Sequence, residues 1–88
     1  MSIDAFGQAE RFVTSGDYGS AKSEYERIIG SDSDNSAAWY GLGVVNHAVG
    51  DVEAAIVAFE RAFLINRFHA PTAANLAFLF SQRDSDQA

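Results

Sequence analysis

Cysteine is absent from this 88-residue chain, proline occurs once, and 6 basic residues stand against 12 acidic ones. Without cysteine there is no disulfide and no thiolate metal site, which fits a reducing compartment. The shortage of positive charge is equally restrictive. The formal net charge is -6, and Arg11, Lys22, Arg27, Arg61, Arg67 and Arg83 are scattered along the sequence. Phosphate backbones are held by clustered Lys and Arg, so nucleic acid is not an expected partner. No stretch of 18 consecutive apolar residues exists to span a bilayer. The opening "MSIDAFGQAERF" has neither the basic start nor the apolar run of a signal peptide. No membrane contact is predicted, and the expected location is cytoplasmic.

What the chain does have is apolar side chains, 48% of the total. At this length the expectation is one small domain over residues 1–88, with a core that gains from association with a partner.

The apolar residues are not spread at random. "SGDYGSAKSEYERII", starting at Ser15, is answered by "VGDVEAAIVAFERAF", starting at Val49. A shift of 34 residues sets Gly16 on Gly50, Asp17 on Asp51, Ala21 on Ala55, Tyr25 on Phe59, Glu26 on Glu60 and Arg27 on Arg61. A further shift sets Leu76 on Leu42 and Ala77 on Gly43. The chain thus reads as repeat 1 over about 2–35, repeat 2 over about 36–69, a terminal helix over about 71–83 and a polar tail at 84–88.

Within each unit the spacing is helical. Ala55, Ile56, Phe59, Ala62 and Phe63 form one stripe of a 3.6-residue period, and Ala21, Tyr25, Ile28 and Ile29 copy it. First helices are predicted from Ile3 to about Ser15 and from about Ser36 to Val49. Each is followed by a glycine suited to the left-handed conformation, and then by an aspartate that can cap the next helix. "GSDSDNS", residues 30–36, reads as a loop with Asn35 as an N-cap, and Pro71 suits the first turn of a fifth helix.

These residues resemble the tetratricopeptide repeat family, whose helix-turn-helix unit places Trp, Leu-Gly, Gly-Asp, Ala, an aromatic and Ala at set positions. Trp39, Leu42, Gly43, Gly50, Asp51, Ala55, Phe59 and Ala62 match it in repeat 2. In repeat 1 Phe12, Gly16, Asp17, Ala21 and Tyr25 match; in repeat 2 Asn46 departs from the pattern where an aromatic is usual. The resemblance implies an all-α fold, an α-α superhelix of five helices, in which most of the repeated residues are core. It also implies a non-enzymatic protein-interaction module whose first helices line a concave groove for a protein or peptide partner.

Mapping the groove positions gives Phe6, Glu10, Val13 and Thr14 from repeat 1. Repeat 2 gives Tyr40, Val44, His47 and Ala48, and the terminal helix gives Ala74, Phe78, Ser81 and Gln82. An apolar and aromatic lining suits the apolar face of a helix. It lacks the Lys, Arg and Asn with which some relatives grip acidic tails. The bland alternative is that Phe6, Val13 and Val44 are partly covered core. "LAFLF", residues 76–80, places apolar side chains around the whole helix, which asks for burial on every side. Leu76, Leu79 and Phe80 are therefore predicted to form a self-association face, and a homo-oligomer, specifically a dimer, is expected. A purely structural self-assembler with no peptide ligand is the alternative.

Signs of catalysis or of a cofactor are few. His47 and His69 lie far apart in sequence, and no serine sits in a nucleophile elbow. "GLGVVN" lacks the third glycine of a dinucleotide loop. "DSDNSAAWYGLG" opens like a calcium loop, but Ala37 and Gly43 stand where the glycine and the bidentate glutamate belong. No cofactor or metal is expected.

Overall fold

In a computed structural model, which describes residues 4–86, the chain forms five α-helices. These are α1 (Ala5–Ser15), α2 (Tyr18–Ser31), α3 (Ser36–Ala48), α4 (Val52–Ile65) and α5 (Ala70–Asp86). Each helix packs on the next in chain order, giving an elongated stack of 51 × 26 × 19 Å. Ile3, the predicted first helical residue, lies outside the described residues, as do residues 87–88 of the predicted tail.

The turns follow from local chemistry. Gly16 and Gly50 have φ of 84° and 86°, the left-handed region open to glycine. Behind each, the N–H of the following aspartate closes the helix end: Asp17 donates to Phe12 O at 2.8 Å and Asp51 to Asn46 O at 2.9 Å. The same two aspartates cap the next helices, their carboxylates accepting from Ser20 N at 3.3 Å and Ala54 N at 3.2 Å. Asn35 caps α3 in the same way, accepting from Ala38 N at 3.0 Å.

Two helix ends differ from expectation. Gly30 and Ser31 belong to α2 and not to the loop, which is confined to residues 32–35. The Asp32 N–H donates to Ile28 O at 2.8 Å, and the Ser31 hydroxyl donates back to the carbonyls of Arg27 and Ile28. The fifth helix runs past Arg83 to Asp86, so most of the predicted tail is helical. Arg83 holds that last stretch, reaching Glu53 of α4 at 3.6 Å while lying over the Phe80 ring at 5.0 Å.

The core forms two adjoining clusters. Ala9, Ala21, Tyr25, Ala38, Leu42, Val45 and Ala58 make the first, and Ala55, Ile56, Phe59, Leu76 and Leu79 the second. Small residues set the helix spacing. A Cβ on Gly43 would lie 2.7 Å from the Phe59 ring, and one on Gly41 would collide with the Tyr25 ring. One polar residue, Asn46, is buried at the aromatic position of the repeat with its Oδ1 unpartnered.

The expectation that the apolar helix at 76–80 needs burial on every side is corrected here, since Leu76, Leu79 and Phe80 have packing partners within the chain. Leu79 is fully buried, Leu76 is 8% exposed and Phe80 is half-buried, because α4 supplies Ala55, Ile56 and Phe59 against them. A helix apolar all round does not need a cover all round: α4 takes one side, and Ala77 and Phe78 are left exposed on the other.

Candidate partner-binding groove

The first helices α1, α3 and α5 share one side of the stack, and between α1 and α3 lies an open concavity of about 320 Å³. The register-derived positions Phe6, Glu10, Val13, Thr14, Tyr40 and Val44 all line it, and Tyr25 of α2 forms part of its wall. Phe6, Val13 and Val44 are half-buried against the core clusters, so they are at once partly covered core and cavity wall. Phe6 meets Tyr25 edge to face, with ring centroids 5.7 Å apart and planes at 75°. Burial raises the Tyr25 hydroxyl pKa above its ordinary value, and the Glu10 carboxylate adds to the shift.

A second hollow of about 170 Å³ adjoins the first and shares Phe6, Ala37 and Tyr40 with it. Its far wall is polar: Asn66 follows α4, while His69 and Thr72 stand at the start of α5. His69 Nδ1 and Thr72 Oγ1 are 2.7 Å apart, and the His69 ring meets Tyr40 edge to face at 4.9 Å. On its other side Tyr40 leans on Phe59 at 5.5 Å, and Asn75 Nδ2 points to the Tyr40 hydroxyl at 3.5 Å. Tyr40 is thus fixed by three neighbours in the middle of a continuous trough.

Six predicted groove residues stand apart from this trough. His47 and Phe78 pair with each other, centroids 5.9 Å apart, and Phe78 is 55% exposed. Ala48, Ala74, Ser81 and Gln82 are exposed and line none of these concavities. Sequence reasoning missed Tyr25, His69, Thr72 and Asn75. A signal existed for Thr72: it occupies the repeat position of Ala38, where a polar residue, buried in both chemistry and place, calls for a partner.

In the loop that opens like a calcium site, two oxygens serve the fold. Ser33 O accepts from the Trp39 indole at 2.9 Å, and the Asn35 carboxamide caps α3. Among the described residues no group of three or more His, Asp or Glu side chains is placed to hold a metal. No helix of the described residues is long and apolar enough to cross a membrane.

A tetratricopeptide repeat family model matches residues 6–74, most of the chain. The chain belongs to the tetratricopeptide repeat family. Thirty-seven chains of known structure match it as well. One of them, described as the crystal structure of MamA, superposes with a TM-score of 0.86 at 21% identity, over 91% of this chain and 47% of that one. This tetratricopeptide repeat chain therefore spans about half the length of MamA, and the likeness is one of fold. No curated protein matches the sequence. The tetratricopeptide repeat fold is in general a protein-interaction module, and its members are typically non-catalytic scaffolds.

Proposed function

We propose that this chain is a non-enzymatic adaptor that takes a helix or peptide of a protein partner into the trough centred on Tyr40. The observation that carries this reading is the pair of adjoining concavities, about 320 and 170 Å³, which share Phe6, Ala37 and Tyr40. An apolar floor with a polar end suits a segment that buries one apolar face and offers hydrogen-bonding groups beside it. Tyrosines fixed in a concavity are the usual energetic centres of such contacts. Peptides selected from a random library on the intact chain are expected to shift the amide resonances of Phe6, Val13, Ala37, Tyr40 and Thr72. Tyr40→Ala and Val13→Glu, checked for an unchanged helical spectrum, should each weaken those peptides about tenfold or more. Shifts confined to the outer faces of α4 and α5 would refute the trough as the site.

A second reading, self-association through the end formed by α4 and α5, is favoured by a different concavity. It measures about 280 Å³ and is lined by Glu60, Phe63, Leu64, Leu76 and Phe80. The same end also leaves a repeat position uncovered: Ala9 in α1 and Gly43 in α3 are buried, and the equivalent Ala77 in α5 is exposed. The opposite end of the stack differs. On the face by which α3 receives α2 stand Ala38, Gly41 and Val45, whereas the N-cap Asp4 and, within α1, Gly7 and Arg11 hold those positions, with both charged residues exposed. Head-to-tail stacking would bury those charges, so the pairing consistent with this polarity is end to end through α5, across a two-fold axis. Phe80 and Leu64 are the side chains placed to enter the partner copy, and Leu79 is not.

A further inference from the structure

Glu10 is a carboxylate on the wall of a concavity whose other lining residues are uncharged, and three of those are aromatic. Among the described residues no basic side chain lies within ion-pair distance of it. Arg11, its chain neighbour, occupies the repeat position of Val45 and is exposed on the far face of α1. The carboxylate nevertheless acts into the cavity, since its charge helps raise the pKa of the Tyr25 hydroxyl.

This sets a condition on whatever fills the trough. A purely apolar plug would cover part of the exposed Glu10 carboxylate and give it no counter-charge, which costs affinity. A cationic side chain removes that penalty and gains further from the rings, because aromatic faces attract ammonium and guanidinium groups. The walls suit such a side chain in shape as well. Phe6 and Tyr25 stand nearly perpendicular at 75°, and Val13 and Val44 offer apolar surface to an aliphatic stem.

We propose that the concavity between α1 and α3 receives a lysine or arginine side chain of the bound segment, held between Phe6, Tyr25 and Tyr40 with its charge against the Glu10 carboxylate. The inference rests on the trough being a peptide site, and it adds the charge of the ligand. The partner segment is therefore an apolar helix or strand interrupted by one basic residue, and an acidic segment is excluded.

Selection of a random dodecapeptide library on the intact chain, followed by calorimetric titration, tests this. Enriched peptides should combine apolar residues with a Lys or Arg at a fixed position, and replacing that residue by Gln should weaken binding about tenfold. Glu10→Gln, an exposed and nearly isosteric change, should produce a similar loss. In the double change the two losses should not add, since one contact is removed twice. Affinity for the intact chain should fall as salt rises, and the Glu10→Gln chain should show a flatter dependence. Enriched peptides that lack a basic residue, or that bind Glu10→Gln unchanged, while still losing affinity with Tyr40→Ala, overturn the cation and leave the trough. Peptides indifferent to Tyr40→Ala, or no enrichment at all, overturn both.

Discussion

Gly43 in the middle of α3 and Gly30 near the end of α2 have opposite roles. At Gly43 a methyl group would meet the Phe59 ring at 2.7 Å, whereas at Gly30 nothing lies within 4 Å. Gly43→Ala is expected to destabilise the fold by about 1–3 kcal/mol, and Gly30→Ala to stabilise it by about 0.4–1 kcal/mol. Urea unfolding of the two variants checks both signs. Tyr25 adds a pH dependence. Its folded-state pKa lies above the ordinary tyrosine value of 10.0, so its contribution to stability is complete below that pH and is lost as pH rises through the folded value. Tyr25→Phe removes the ionisable group, and its stability should fall less steeply above pH 10 than that of the parent chain, as followed by circular dichroism. The tight positions at Gly43, Ala55 and Ala62 were legible because the repeat writes them at fixed spacing. The surroundings of Tyr25 were not, since they depend on Phe6 and Glu10 meeting it across a helix pair.

Helix starts were more legible than helix ends. A start is fixed by one side chain acting three residues away, as Asp17, Asn35 and Asp51 do, and such a signal is local in the sequence. The end of α2 instead depends on how the Ser31 hydroxyl is satisfied, and the end of α5 on Arg83 reaching across to Glu53. The Ser31 bonds are local, but a serine beside a turn suits a loop as well as a helix end, and the Arg83 contact needs the tertiary arrangement. Asp51→Ala is expected to lower stability by about 0.5–2 kcal/mol, with Asp51→Asn recovering most of the loss, in thermal unfolding. The cap starts α4, which touches both α3 and α5, so the melt should remain one cooperative transition with a lower midpoint.

For the whole molecule, the two ends of the stack differ in what they expose. The sequence grouped Leu76, Leu79 and Phe80 together, because an all-apolar helix does not reveal which side its neighbour takes. The structure divides them: Leu79 is 0% exposed and belongs to the fold, while Phe80 lines the open end. Leu79→Ala should therefore lower the stability of the folded chain by about 2–5 kcal/mol. Leu64→Glu, at a position 60% exposed, should leave unfolding nearly unchanged, whereas Phe80→Glu also loses packing on α4 and should lower stability; each should abolish association, seen as a constant monomer mass in light scattering over a dilution series. Association unaffected by Phe80→Glu and by Leu64→Glu would exclude this end as the contact. The groove was legible to the same partial extent. Repeat register brought out Phe6, Glu10, Val13, Tyr40 and Val44, but the polar far wall at His69 and Thr72 arises only where α5 turns back past Tyr40.

The stacking of Tyr25 on Gly41 has a consequence for lengthening the molecule. α2 offers α3 an aromatic ring over a glycine, and α4 carries an aromatic, Phe59, at the same register. A tandem duplicate of residues 35–68 inserted before His69 would meet on both sides surfaces of the kind it already fits. The chain is thus its own template for growth from within, and each inserted copy would extend the trough by one more Tyr40.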